Sequence, residues 1–209
     1  MDVADVWRVT DEQRSTLADL LEELSDQEWE QPSLCVAWRV RDVAAHLTLA
    51  HTGWGTAAVE LVRAGGGFNR MIRDTALRQA RLPVEEYPRR LRAMVGSRRK
   101  APGVTALEPM LDLLVHGQDI TIPLGRHRPM PREAAALAAS RAWALNWPFR
   151  TRRRLRGVQL VATDVSWEAG SGLPMQGTIG DLLQLVTGRP VDSARFTGAG
   201  VDTYAGAPS

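Results

Sequence analysis

Cysteine is almost missing: one residue in 209, Cys35. That excludes an internal disulfide and every multi-cysteine metal site, so the expectation is that any metal is held by His, Asp and Glu. Long apolar runs are also missing, and none approaches a membrane span. The N-terminus is acidic and amphipathic, unlike a signal peptide, so the expectation is a soluble cytoplasmic protein. Lysine is reduced to Lys100, and a formal charge of +2 is too small to imply a polyanionic partner. Two basic runs, "RRLRAMVGSRRK" (89–100) and "RTRRRLR" (150–156), have few interleaved aromatics. They read as solvated helix ends or linkers, with a nucleic-acid surface as the weaker alternative.

What remains supports a folded core. Hydrophobic residues make up 44% of the chain, enough for one domain of moderate size or a larger domain with a small appendage. Thr10 and Gln13 form a capping-box pattern, followed by Leu17, Leu20, Leu21 and Leu24 at helical spacing. After a break at Gln31-Pro32-Ser33, a second helix starts near Trp38, carries Val43, His46, Leu47 and Ala50, and is expected to run past Trp54 towards Glu60. "AGGGFN" (64–69) is a loop or hinge, and without a following Lys-Ser or Lys-Thr it is no phosphate loop. Further helices are expected over 84–95 and 107–120. Another follows Pro131, which suits a first helical turn. From Gly157 the pattern alternates loosely, as in a strand. Gly170 to Gly172 reads as a hairpin turn, "TIGDLLQLVTGR" as a helix capped by Thr178, and "SARFTGAG" as another strand. The expected layout is mainly α, with a helical domain over 1–150 and a small α+β appendage over 151–209.

Two of the four histidines, His46 and His51, lie within six residues. His46 falls on the apolar stripe of its helix, where a metal ligand, a catalytic base and a satisfied core residue are all open readings. His51 is about 140° further round the helix and does not share that face. The segment "LEPMLDLLVHGQDI" (107–120) adds Asp112 and His116 at i and i+4, one turn apart on one face. Glu108 precedes them by a turn and Asp119 follows by three residues. This arc reads either as the solvated face of the helix or as part of a metal site. Between Gly103 and Gly125 there is no Lys or Arg to partner these acids, and apolar residues border the arc on both sides. A nearby divalent cation would resolve the electrostatics. Adding His46 gives His, Asp, His with an open position, the composition of a catalytic rather than a structural zinc site.

"PSLCVAWRVRDVAAHL", "DLLVHGQDI" and "LVATDVSWEAGSGLPMQGTIGDLLQLVTGR" together resemble, in order and over nearly the whole chain, the DinB-like maleylpyruvate isomerase family of mycothiol-dependent enzymes. The resemblance implies a four-helix bundle with a small C-terminal domain and a divalent metal, usually zinc, bound between helices. Its ligands would be His46, Asp112 and His116. The family's acid is commonly Glu, and here it is the shorter Asp. The resemblance further implies a low-molecular-weight thiol of the mycothiol type as cosubstrate and a small electrophile as substrate, with no nucleic-acid or membrane partner. A metal favours loss of the thiol proton. Asp119 would orient a ligand imidazole or cap the helix. Arg189 would bind a substrate carboxylate, its other reading being an ordinary surface arginine. Cys35, with no histidine near it in sequence, reads as a small buried hydrophobe. The rival function is a protein that kept the ligands and lost the reaction, binding a metal or small ligand without catalysis. The sequence sets neither the oligomeric state nor the substrate.

Overall fold

The computed structural model describes residues 1–49, 75–100, 103–146 and 149–205. These form two compact units, Met1–Arg128 and Pro129–Ser209. Among the described residues no helix is long and apolar enough to cross a membrane.

The first unit is helical. Helix α1 (Val3–Glu22) starts at Asp2, whose side chain caps Asp5 while Asp5 reaches back. It therefore begins earlier than the Thr10–Gln13 pattern suggests. Thr10 lies buried inside the helix with its hydroxyl donating to the Val6 carbonyl at 2.7 Å, which satisfies the polar group that would otherwise signal a helix start. A short α2 (Asp26–Glu30) is capped by Ser25. Helix α3 (Val40–Leu47) follows the loop 31–39 and closes at its C-cap, Thr48, so the single helix expected to run from near Trp38 past Trp54 is not formed; residues from 50 on lie outside the described residues. Helices α4 (Glu86–Ala93) and α5 (Leu107–Thr121) follow among the described residues, close to the limits set by their apolar periodicity. Helix α1 packs on α4 and α5, and α3 on α5 and α4.

The core they share contains Leu17, Leu21, Val43, Leu47, Leu91, Leu113 and Ile120. Each such fully buried aliphatic side chain contributes about 2 kcal/mol of transfer free energy. Polar ties set the register around it. Arg128 donates to the Gln13 carbonyl and side chain at 3.1 and 2.8 Å and to Thr16 at 3.0 Å. Its side chain lies across α5 at Gly117, where a Cβ would meet Nε at 3.0 Å. A residue without a side chain thus lets an arginine lie against the helix directly after His116. Burial lowers the Arg128 pKa to about 10, which still leaves it charged at neutral pH. Four arginines of the first basic run form ion pairs: Arg89 and Arg90 with Glu86, Arg92 with Asp19 and Glu22, and Arg98 with Asp11.

The second unit begins with α6 (Arg132–Leu145), led by Pro131 at its N-cap. The compact units divide before this helix. The cause is compositional. Ala134, Ala135, Ala138, Ala139 and Ala142 are buried, and this small-residue face lets α8 (Ile179–Val186) pack closely on α6. A single turn, α7 (Thr151–Arg154), leads into the sheet. Strand β1 (Val158–Ala162) is central, antiparallel to β2 (Glu168–Gly170) and parallel to β3 (Leu173–Gly177). Gly170 to Gly172 is therefore not a hairpin turn, since the strands it joins pair with β1 and not with each other. Gly172 takes φ +124°, and a Cβ there would overlap the Gly157 carbonyl. Thr178 caps α8 through the Asp181 N–H. "SARFTGAG" makes one bridge, Gln176 with Thr197, between a 3-10 turn (Ser193–Arg195) and α9 (Gly200–Ala205), instead of a strand.

Candidate metal centre

His46 lies in the last turn of α3. The start of that helix is fixed by charge: Asp42, 1% exposed, accepts from the Arg39 N–H at 2.8 Å and from Arg39 Nε at 3.1 Å. Glu30 of α2 binds both Arg39 and Arg41, at 2.6 and 2.7 Å. Paired in this way, the basic-acidic run after Trp38 holds α3 against α2. The imidazole of His46 meets the Trp38 ring edge-on at 5.5 Å between centroids.

The second imidazole comes from α5. His116 lies 4.9 Å from His46 between ring centroids, at an interplanar angle of 76°. The structure therefore brings together two histidines seventy residues apart in sequence. Asp112, half-buried, stands one helical turn before His116 on the same helix. Glu108, a turn earlier again, accepts the backbone N–H and hydroxyl of Thr105 and so serves the start of the helix.

Asp119 is fully buried, and its Oδ2 lies 2.8 Å from His116 Nδ1. An ionised carboxylate can only accept, so Nδ1 carries the hydrogen, and in the neutral ring the lone pair is on Nε2. This is the usual way a carboxylate sets the tautomer and orientation of a metal-binding imidazole.

Cys35 completes the cluster, and the sequence reading missed it. Its Sγ donates to Asp119 Oδ2 at 3.1 Å and lies 3.7 Å from His116 Nδ1. Ligand-type atoms of Cys35, His116 and Asp119 all fall within 4.8 Å of one another, close enough for such a group to hold a metal ion. The thiol does meet a histidine, but one 81 positions away. The signal lay in the loop before α3, which closes on itself. Ser33 N–H donates to the Trp38 carbonyl and Val40 N–H to the Gln31 carbonyl, both at 2.9 Å.

Arg189 belongs to the second unit, half-buried, with Nη1 donating to the Thr187 carbonyl at 2.9 Å. His51 and Trp54 lie outside the described residues.

The family described as the mycothiol maleylpyruvate isomerase N-terminal domain matches residues 10–121, more than half of the chain. A crystal structure of the mycothiol-dependent maleylpyruvate isomerase shares the fold, with a TM-score of 0.63 at 13% identity, covering 95% of this chain and 93% of that one. A histidine-to-alanine mutant of that enzyme superposes with a TM-score of 0.61 at 14% identity, over the same shares of both chains. No curated protein sequence matches. The helices that carry His46, Asp112 and His116 fall inside the matched segment, and this chain belongs to the mycothiol maleylpyruvate isomerase N-terminal domain family.

Proposed function

We propose that the protein is a metal-dependent enzyme that uses a low-molecular-weight thiol of the mycothiol type, acting as an isomerase or thiol transferase on a small electrophile. One observation carries the reading: two imidazoles from different helices in edge contact, with the Nδ1 of one held by a buried carboxylate. That donor chemistry fits a divalent metal, with zinc preferred for imidazole nitrogen and carboxylate oxygen.

In this reading His46, Asp112 and His116 hold the metal, His116 through Nε2, because Asp119 occupies Nδ1. When bound, the metal supplies a positive charge that lowers the pKa of a thiol at the open position. The chain's own residues do the rest. Asp119 keeps the His116 ring in one tautomer and one orientation. The apolar residues around the site, Val43, Leu47 and Leu113 among them, restrict water, which strengthens electrostatic contacts there. Arg189 is assigned to the carboxylate of an anionic substrate, on the strength of the planar fork that pairs with such groups. A cytoplasmic location and a bundle of four helices in the first unit belong to the same proposal.

Metal analysis of the purified protein, followed by a conjugation assay with mycothiol and monochlorobimane, tests the reading. One metal per chain and thiol conjugation are expected. Metal without conjugation would indicate a binding protein instead, and unchanged metal content in His46→Ala would overturn the ligand set.

A further inference from the structure

The loop 31–39 is more constrained than a connection between two helices requires. Two backbone hydrogen bonds close its neck. Ser33 Oγ accepts from the Cys35 N–H at 3.1 Å and donates to the Trp38 carbonyl at 2.9 Å. Ala37 takes φ +64°, a conformation that a residue with a side chain keeps only when its surroundings enforce it. The loop is also tied to α5 twice, at one residue. Leu34 N–H donates to the Asp119 carbonyl at 3.1 Å, in the last turn of that helix. One residue on, Cys35 Sγ donates to Asp119 Oδ2.

That oxygen is the one that receives His116 Nδ1. The carboxylate oxygen is therefore gripped from two sides, by a thiol from the loop and by an imidazole of its own helix. Two torsions set where an aspartate carboxylate lies, and a ring hydrogen bond follows it. We infer that Cys35 is a positioning residue: its thiol fixes the rotamer of Asp119, and Asp119 in turn fixes the tautomer and ring orientation of His116. The inference rests on the proposed metal-site reading for its purpose, but not for its geometry. Cys35 is not assigned as a ligand, because it faces the Nδ1 edge of the ring, where the hydrogen is committed to Asp119, and the ligand nitrogen is Nε2.

Two full-length variants test this. Cys35→Val keeps the side-chain volume without a donor, and Cys35→Ser keeps a donor. The first readout is the pair of His116 ring-nitrogen resonances in metal-free protein. Wild type is expected as the single Nδ1–H tautomer, Cys35→Val as a mixture, and Cys35→Ser as largely restored. The second is zinc affinity by chelator competition, expected to fall about three- to tenfold in Cys35→Val and to recover most of the way in Cys35→Ser, a smaller loss than for a direct partner of a ligand. Thermal melts monitor folding, and a merely structural role would lower stability without moving the tautomer. A wild-type tautomer in a folded Cys35→Val, or a Cys35→Ser as impaired as Cys35→Val, overturns the inference. So does loss of zinc stoichiometry in both variants, which would make Cys35 a ligand. If wild type binds no zinc, the proposed function fails while the tautomer readout still decides the role of Cys35.

Discussion

Asp119 and His116 share one turn of α5, with the carboxylate oxygen 2.8 Å from Nδ1 and no solvent exposure at the acid. Replacing Asp119 by Asn removes the charge and offers either a donor or an acceptor. The expected result is a metal affinity lower by about 10–100-fold, the range for losing the partner of a ligand imidazole. Chelator competition measures it, and an affinity equal to wild type would show that the charge of Asp119 is not needed at Nδ1.

Asp112 and Glu108 are separated by one turn of the same helix, and their variants should part company. Asp112→Ala is expected to abolish stoichiometric metal binding. Glu108→Gln should leave it intact, because Glu108 is engaged with Thr105. Metal content after exhaustive dialysis reads both. Equal loss in the two variants would place Glu108 in the coordination set.

Arg189 is the test of the second unit's share in function. Arg189→Gln is expected to raise KM for an anionic substrate about tenfold with kcat and metal content unchanged; a raised KM at constant kcat is the signature of binding lost equally in ground and transition states. An unchanged KM would leave it the structural arginine that its bond to Thr187 already describes.

The acid limb of stability has an identifiable contributor. Arg126 on Glu28, helped by Ser25, holds that carboxyl down to about 2. A depressed folded pKa means the contribution is present above the unfolded value and is lost as pH falls from about 4.5 towards 2. Glu28→Gln keeps the N-terminal hydrogen bond to Ser25 and loses the charge. The ion pair is partly exposed, so the cost at pH 7 is about 0.5–1 kcal/mol, fading to nothing near pH 2. Denaturation midpoints measured across that range check it, and a cost independent of pH would contradict it.

Gly172 offers a test of the sheet. Its φ of +124° and the closeness of the Gly157 carbonyl leave no room for a side chain, so Gly172→Ala should cost about 3 kcal/mol. A wild-type melting curve would mean that the β2–β3 connection differs from the one described.

The helices of the first unit were largely legible, because α1, α4 and α5 bury apolar stripes whose period is visible in sequence. The start of α1 was not: Thr10 and Gln13 carry a valid local signal, yet Asp2 and Asp5 supply the actual cap. Partner choice in the sheet was hidden for a different reason. Gly-Ser-Gly marks a turn, but β1 lies between β2 and β3, and adjacency in sequence does not reveal which strand pairs with which. The alanine face of α6 gave no hint of its unit, since small residues declare themselves only beside the helix they admit. In the candidate site, the His46 stripe and the cation-free arc around His116 pointed to each other. Cys35 escaped because its neighbours are made by a loop closure and not by a period.

The contact that joins the two halves of the site, Cys35 to Asp119, spans 84 positions. The unfolded chain therefore contains no preformed version of this cluster, so an ion held beside it by the proposed ligands His46, Asp112 and His116 would bind the native state preferentially. Under the proposed function, metal would then act as a folding ligand: at a hundred times its dissociation constant it would add about 2.7 kcal/mol to stability. Which ion the protein prefers can be ranked from melting temperatures alone, before any substrate is known.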